Sequence, residues 1–218
     1  MLSLAEENYL KALLQISLEA GHHNEAGTNQ LAAHLGVKPA TVNDMLKRLK
    51  EKKMIHYEKY GKISLTAEGK KRAAEVLRKH RLWETFLYEK LEFTWDEVHE
   101  VAEQLEHIQS SKLVDKLDKL LGYPAFDPHG DPIPNAKGEI KIAFKKILSE
   151  ISPGKTCKVV AVKDNSASFL QYVTQLGIGI DLKVKVISKQ SFDGSMEIEV
   201  NKKTTTVSQK FAENIFVA

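Results

Sequence analysis

The spacing of apolar residues predicts three helices in the first fifty residues. Leucines and Tyr9 recur at steps of three and four across residues 3–19, the period of an amphipathic helix. Thr28 is the predicted N-cap of a short helix that ends at Gly36, and Pro39 begins another helix. The predicted buried stripe of this last helix is Val42, Met45, Leu46 and Leu49. Two short helices that meet at a tight glycine-containing turn indicate a helix-turn-helix.

A hairpin and further helices are predicted next. The segment MIHYEKYGKISLT has two short alternating runs separated by Tyr-Gly-Lys, which predicts a β-hairpin. A long helix is predicted from Thr66 to about Glu92. Thr94 and Glu97 have the spacing of a capping box for the following helix, and another helix spans roughly Ser111 to Leu121.

The last third of the chain has the period of strands. The segment GYPAFDPHGDPIPNAKG contains four of the six prolines, so it is predicted to be an ordered loop followed by a linker. A short helix is predicted near Ile140 to Ser149. The runs TCKVVAV, DLKVKVIS, MEIEV and TTTVSQ then alternate as strands, with the helical run FLQYVTQLGI between the first two. Five or so short strands in about 65 residues predict a small barrel.

The charges are segregated along the chain, although the net charge is only +3. From Lys38 to Arg81 there are fourteen Lys or Arg against five Asp or Glu, whereas from Leu82 to Leu121 there are four against ten. This pattern indicates a polyanion as the partner of the first segment and cations as partners of the second. The single cysteine, Cys157, excludes an internal disulfide framework and a thiolate metal cluster.

The N-terminal residues place charges within their apolar positions, so we expect neither a signal peptide nor a membrane span. We therefore expect a cytoplasmic protein without a membrane partner.

The helix that begins at Pro39 is the predicted reading element of a DNA-binding domain. Side chains near its start would reach base edges, and the hairpin would act as a wing. The basic charge of the segment would supply affinity for phosphate. The predicted DNA contacts are Thr28, Lys38, Pro39, Ala40, Thr41, Asn43, Asp44, Lys47, Arg48, Lys59 and Lys62.

Glu and His residues are concentrated between Val98 and His107. On a helix, His99, Glu103, Glu106 and His107 fall within an arc of roughly 100°. His99 and His107 are separated by about 12 Å along the axis, so they cannot bind one ion. Two neighbouring sites are therefore predicted: one at Glu103, Glu106 and His107, and one at His99 with His80 and Glu84.

These side chains offer oxygen and imidazole nitrogen but no sulfur. Such ligands suit Mn(II) and Fe(II) and do not specifically select zinc. A solvated charged face remains one alternative. A carboxylate and histidine metalloenzyme is another, although di-iron catalysts normally take Glu-x-x-His motifs from two different helices.

With these motifs, the chain resembles the diphtheria toxin repressor family, metal-dependent bacterial repressors that include iron-dependent and manganese-transport regulators. The resemblance covers nearly the whole chain. It is carried by the winged helix, the runs LRKHRLWETFL and VHEVAEQLEHIQS, the loop DPHGDPIP and the C-terminal barrel.

The resemblance implies a mainly α fold with a β C-terminal domain. A winged helix-turn-helix DNA-binding domain would span residues 1–73, and a helical dimerisation and metal-binding domain with the proline-rich loop would span 74–138. A linker helix would follow at 139–152, and a small SH3-like β-barrel at 153–218.

The resemblance also implies the metal ligands. His80, Glu84 and His99 match the family's ancillary site, with Asp164 as the expected ligand from the barrel. Glu103, Glu106 and His107 match the regulatory site, which Asn8 would complete from the first helix. Glutamate at position 103, where iron-sensing members have cysteine, is similar to the manganese branch.

Two residues of this chain differ from those expected in the manganese branch. Asn8 stands where manganese regulators have aspartate, and Lys11 stands where some have a further glutamate, which argues against a bridged pair of ions. Glu7 would replace the missing carboxylate only if the helix turned. Asn8 without a bound metal remains an alternative, as does Asp164 as a simple turn residue.

The expected function is a manganese-responsive, DNA-binding transcriptional repressor that controls metal-uptake genes, with an iron(II)-responsive repressor as the alternative. The expected partners are a palindromic double-stranded operator and a second copy of the chain, with no organic substrate and no enzyme activity. Two metal sites per chain are expected, with Mn(II) first and Fe(II) second.

Overall fold

A computed structural model describes residues 2–19, 26–57, 62–141 and 145–218. The chain divides into two compact units. The first unit contains Met1–His80, Glu103–Ser111 and Pro134–Ile140, and the second contains Arg81–Ala102, Lys112–Ile133 and Lys141–Ala218. The predicted domain boundaries differ from this division and stay a prediction.

The first unit contains the predicted winged helix-turn-helix. Its elements are α1 (Leu4–Glu19), α2 (Thr28–Leu35), α3 (Pro39–Glu51), β1 (Ile55–Tyr57), β2 (Ile63–Leu65) and the beginning of α4 (Ala67–Leu91). Gly36 has a φ of 64°, the left-handed conformation that lets the chain turn sharply between α2 and α3. Strands β1 and β2 pair antiparallel, with Ile55 opposite Leu65.

Apolar faces of α1, α2, α3 and α4 form one core in this unit. Its fully buried members include Leu10, Leu14, Leu31, Leu46, Leu49 and Leu77. The predicted period of α1 and α3 is confirmed by these positions. The predicted N-cap is wrong, because Gly27 holds the cap position of α2 and Thr28 is the first helical residue.

Helix α4 begins with a well-defined cap. The Thr66 hydroxyl accepts a hydrogen bond from the Gly69 N–H at 3.0 Å, which satisfies one of the free donors of the first turn. A Cβ at Gly69 would lie 1.9 Å from the Met54 carbonyl oxygen, so only glycine lets α4 start this close to the preceding chain.

The second unit contains the rest of α4, most of α5 (Val98–Leu105) and most of α6 (Ser111–Leu120). Glu97 accepts from the Thr94 N–H at 2.9 Å and from the Thr94 hydroxyl at 2.8 Å, but the predicted N-cap is wrong, because α5 begins at Val98. The predicted continuation of the helix to His107 is wrong, because α5 ends at Leu105 and the next residues form a turn. A small core joins Leu82, Val114, Leu117 and Ile133, and Trp83 packs against it.

The C-terminal part of the second unit is the predicted small β domain. Its elements are β3 (Lys146–Ile147), β4 (Thr156–Val162), α7 (Ala167–Gln175), β5 (Lys183–Lys189), β6 (Met196–Val200), β7 (Lys203–Val207), α8 (Gln209–Ala212) and β8 (Ile215–Val217). The antiparallel sheet has the order β3-β8-β4-β5-β6-β7. Alternate apolar residues of β4, β5 and β6 are buried with Phe211, and Trp95 packs against this core.

The predicted linker helix over residues 139–152 is wrong for the described residues. Strand β3 pairs there with β8, and a 3-10 turn follows at Leu148–Glu150. Across the described ranges, no helix is both long and apolar enough to cross a membrane.

Candidate metal centres and nucleic-acid face

The outward face of α3 is accessible, as a reading helix requires. Its exposed members among the predicted DNA contacts are Lys38, Pro39, Ala40, Thr41, Asp44, Lys47 and Arg48. Lys62, at the edge of the hairpin, is also exposed, whereas Lys59 lies outside the described residues. Thr28 and Asn43 are half-buried.

Three of these side chains, Asn43, Asp44 and Lys47, already have partners. Asn43 Oδ1 accepts a hydrogen bond from the Tyr57 hydroxyl at 3.0 Å, which ties α3 to β1. Lys47 and Asp44 form an exposed ion pair at 3.0 Å, and such pairs contribute little to stability. All eleven DNA contacts stay predictions.

The structure brings Glu103 and Glu106 together with a lysine of α1. Lys11 Nζ lies 2.5 Å from Glu103 Oε1 and 2.7 Å from Glu106 Oε2. His80 Nδ1 lies 2.5 Å from the same Glu106 oxygen. Lys11 and Glu106 are buried, with exposed fractions of 4% and 0%.

His107 contacts a carboxylate of α1. Its Nδ1 lies 2.7 Å from Glu7 Oε2, and Glu7 Oε1 accepts from Gln109 Nε2 at 3.1 Å. Glu7 therefore contacts a predicted ligand, and the expectation that it would replace the missing carboxylate only if the helix turned stays a prediction. We call Glu7, Lys11, His80, Glu103, Glu106 and His107 the first-unit cluster.

The first-unit cluster has open ligand atoms on one side of Glu106. Because a carboxylate can only accept, the neutral His107 ring carries its proton on Nδ1 and a lone pair on Nε2. That Nε2 lies 3.7 Å from Glu106 Oε1. Glu106 Oε1 and Asn8 Oδ1 are both buried without a hydrogen-bond partner among the described residues. Glu106 Oε1, His107 Nε2 and Asn8 Oδ1 are therefore the candidate ligand atoms for a divalent ion on this side.

On the other side of Glu106, the Lys11 ammonium opposes the binding of a divalent ion. The Glu103 and Glu106 oxygens there already accept from an ammonium group. Two unit charges roughly 4 Å apart repel by about 4 kcal/mol at the effective dielectric near a protein surface, and a divalent ion doubles this. A nearby second lysine, Lys79, has a pKa lowered by burial, which the charges of Glu7 and Glu106 partly offset.

A second group of candidate ligands lies in the second unit. Glu84 Oε1 is 3.1 Å from His99 Nδ1, and Glu84 Oε2 is 3.9 Å from His129 Nδ1. Glu84, Asp127 and His129 are all buried, and each offers a ligand atom within 4.8 Å of the others. We call Glu84, His99, Asp127 and His129 the second-unit cluster.

His129 is oriented as a metal ligand would be. Its Nε2 donates to the Trp95 carbonyl at 2.7 Å, so Nδ1 of the neutral ring carries the lone pair. Nδ1 has no hydrogen-bond partner in the described part of the chain, and the residue has an exposed fraction of 0%.

Asp127 is a poorer ligand than His129. Burial raises the pKa of Asp127 to about 7, with Asp131 and Glu84 adding to the rise and Arg81 and His129 opposing it. Asp127 Oδ1 also accepts from the His129 and Asp131 N–H groups, at 2.9 and 3.0 Å. Asp127 therefore also shapes the loop.

The predicted ancillary ligands are divided between the two units. His80 belongs to the first unit, whereas Glu84, His99 and Asp164 belong to the second. Asp164 Oδ1 accepts from the Ser166 N–H at 2.9 Å, the hydrogen bond of a turn residue before α7. Its role as a ligand stays a prediction.

Sequence reasoning missed Lys11 as a cation within the first-unit cluster and His129 as a candidate ligand. His129 had a signal, because Asp127, His129 and Asp131 alternate in the loop DPHGDPIP. For Lys11 the sequence indicates only a departure from the manganese branch, and its contact with Glu103, 92 residues away, has no signal in the sequence.

Family models match nearly the whole chain. Residues 1–63 match the iron dependent repressor N-terminal DNA binding domain, and residues 66–135 match the iron dependent repressor metal binding and dimerisation domain. Residues 146–218 match the FeoA domain.

Curated relatives cover parts of the chain. The iron-dependent repressor IdeR of Mycobacterium leprae (strain TN) is 30% identical over 161 residues, 71% of this chain and 69% of that protein. A diphtheria toxin repressor of Corynebacterium jeikeium (strain K411) is 30% identical, but the match spans 59% of this chain and 52% of that protein. A probable metal transport system membrane protein of Chlamydia trachomatis is 45% identical over 71 residues, 33% of this chain and only 16% of that protein.

Solved structures resemble the chain over its full length. A manganese-dependent transcriptional repressor in complex with manganese has a TM-score of 0.88 and 31% identity, covering 98% of this chain and 99% of that one. ScaR with bound Cd²⁺ has a TM-score of 0.79 and 33% identity, covering 98% of both chains. From these matches, the chain belongs to the iron-dependent repressor family of metal-dependent transcriptional repressors.

Proposed function

We propose that the chain is a Mn(II)-responsive repressor that binds a palindromic operator as a homodimer and controls metal-uptake genes. The observation that carries the proposal is the position of α1. One helix supplies Glu7 and Lys11 to the first-unit cluster, carries the proposed ligand Asn8, and also packs against α2 and β2 of the winged helix. A change at the cluster therefore acts directly on the element that supports the reading helix.

The proposed coupling requires only a difference in affinity between conformers. Asn8, Glu106 and His107 would hold the ion together, and this shared ligation would fix α1. The conformer with fixed α1 would be the one whose two α3 helices match successive major grooves. Coupling free energies of about 1 to 3 kcal/mol are typical.

Mn(II) is proposed first, because oxygen and imidazole donors suit Mn(II) and Fe(II) and do not specifically select zinc. The open atoms of the first-unit cluster are two oxygens and one imidazole nitrogen, a set that suits hard divalent ions. The similarity to a manganese-dependent repressor supports this choice, and the similarity to iron-dependent repressors keeps Fe(II) as the alternative.

A second ion is proposed in the second unit. Glu84, His99 and His129 would hold it, and His80 and Asp164 remain the further ligands that the sequence predicts. Glu84 is buried and lies against both imidazoles, which supports this assignment. Each chain would then bind two ions.

The proposal is tested by operator affinity, measured by fluorescence anisotropy at fixed salt with either chelator or Mn(II). We expect Mn(II) to raise the affinity by about 5- to 150-fold, the range of typical allosteric coupling. His107→Gln should remove most of this increase, because it deletes the open Nε2.

The matched control is Glu100→Gln, an exposed carboxylate on α5, which should respond to Mn(II) like the parent. Equal operator affinity with chelator and with Mn(II) would contradict the proposal.

A further inference from the structure

The two oxygens of Glu106 have different surroundings. Oε2 lies 2.7 Å from Lys11 Nζ and 2.5 Å from His80 Nδ1, so both of its lone pairs are used. Oε1 is buried and has no hydrogen-bond partner among the residues that the structure describes. Glu106 therefore has one occupied side and one open side.

A cationic side chain lies on the occupied side. The Glu106 side chain is fully buried, and a buried charge is costly unless an opposite charge pairs with it. Lys11 is that partner, with donors to Glu106 and Glu103 and no acceptor of its own. Lys11 is covalently part of α1, so it does not exchange with ions in solution.

We infer that the Lys11 ammonium is a built-in cation that takes one of two cation positions around Glu106, so that the first-unit cluster binds a single divalent ion. That ion lies on the Oε1 side, with Glu106 Oε1, His107 Nε2 and Asn8 Oδ1. Glu103 is the partner of Lys11 and not a metal ligand, which departs from the predicted set. The inference rests on the proposed function for the identity of the ion.

The test is the number of Mn(II) ions bound per chain, measured by equilibrium dialysis and elemental analysis without DNA. Lys11→Gln removes the charge at nearly constant length and frees the Glu103 and Glu106 oxygens. We expect this variant to bind one more Mn(II) per chain than the parent. Adding Glu103→Gln to Lys11→Gln should abolish the gain.

Lys79→Gln is the matched control. Lys79 is another buried lysine that interacts electrostatically with Glu7 and Glu106. Its loss should not add an ion. Equal Mn(II) counts for the parent and Lys11→Gln would overturn the inference, and so would an equal gain in Lys79→Gln.

A second measurement keeps Lys11 intact, in case its substitution prevents folding. In a His99→Gln, His129→Gln chain the second-unit cluster loses two imidazoles, and we expect one Mn(II) per chain to remain. Two remaining ions would overturn the inference. Since no step uses DNA, a failed metal response of operator binding would contradict the proposed function and leave the ion count standing.

Discussion

At the scale of single residues, helix propensity alone predicts the wrong direction for the stability change of Gly69→Ala. Alanine normally stabilises a helix by about 1 kcal/mol relative to glycine. At Gly69 the added methyl would lie 1.9 Å from the Met54 carbonyl oxygen, which is fixed by a hydrogen bond from the Thr66 N–H at 3.0 Å. We expect Gly69→Ala to lower the free energy of unfolding by about 1 to 3 kcal/mol, as overpacking does. Urea denaturation followed by circular dichroism measures it.

Gly179→Ala is the control, because its Cβ would meet only Leu182 Cδ1 at 4.0 Å. It should change stability much less. A Gly69→Ala protein as stable as the parent would show that α4 can shift away from Met54.

Contacts between single residues that are distant in sequence could not be predicted for the site. Helical spacing correctly grouped Glu103 with Glu106, because neighbours along one chain segment share a face. The partners from α1 are about ninety to one hundred residues away, at Lys11 and Glu7. Tertiary packing determines which oxygen and nitrogen atoms of these side chains lack a hydrogen-bond partner. The periodicity of the sequence does not predict this.

At the scale of elements, α3 should determine DNA affinity through its exposed basic face. Arg48 is exposed on α3, on the side away from the buried Leu46 and Leu49. We expect Arg48→Ala to weaken operator binding with Mn(II) present and to reduce the salt slope of log affinity by about 1 if it contacts phosphate. Anisotropy titrations at several salt concentrations measure both.

The number of Mn(II) ions bound should be unchanged in Arg48→Ala. Lys112→Ala, an exposed lysine of α6, is the control and should leave the slope unaltered. An unchanged slope and affinity for Arg48→Ala would remove this residue from the predicted contacts.

Elements with a one-sided apolar stripe were predictable, since α1, α3, α4 and the wing bury the residues that their periods indicate. The segment near residues 139–152 was not. Its apolar spacing suits a helix, but Lys146 and Ile147 pair with Val217 and Phe216 at the other end of the β domain. A strand only two residues long is specified by its distant partner, which local pattern cannot reveal.

At the scale of the whole molecule, the family places dimerisation in the segment that contains α6. Leu113 and Leu120 are exposed, seven residues apart and therefore on nearly the same side of α6. Exposed apolar side chains on one side of a helix indicate a face that a protein partner covers. We expect Leu113→Glu with Leu120→Glu to shift the protein from dimer towards monomer in sedimentation velocity and to weaken operator binding.

Lys119→Glu, on another side of α6, is the matched control and should stay dimeric. A dimer of unchanged stability in the double variant would place the interface elsewhere.

A lysine fixed beside Glu106 also shapes the dose–response curve of the molecule. Two exchangeable ions that share a carboxylate can assist each other, and their joint occupancy then rises steeply over a narrow range of metal concentration. With one of the two charges tethered to α1, a single exchangeable ion would remain at this cluster, and within one chain its occupancy would follow a simple hyperbola. The occupancy of this cluster in each chain would therefore change gradually with the free metal concentration and without a threshold.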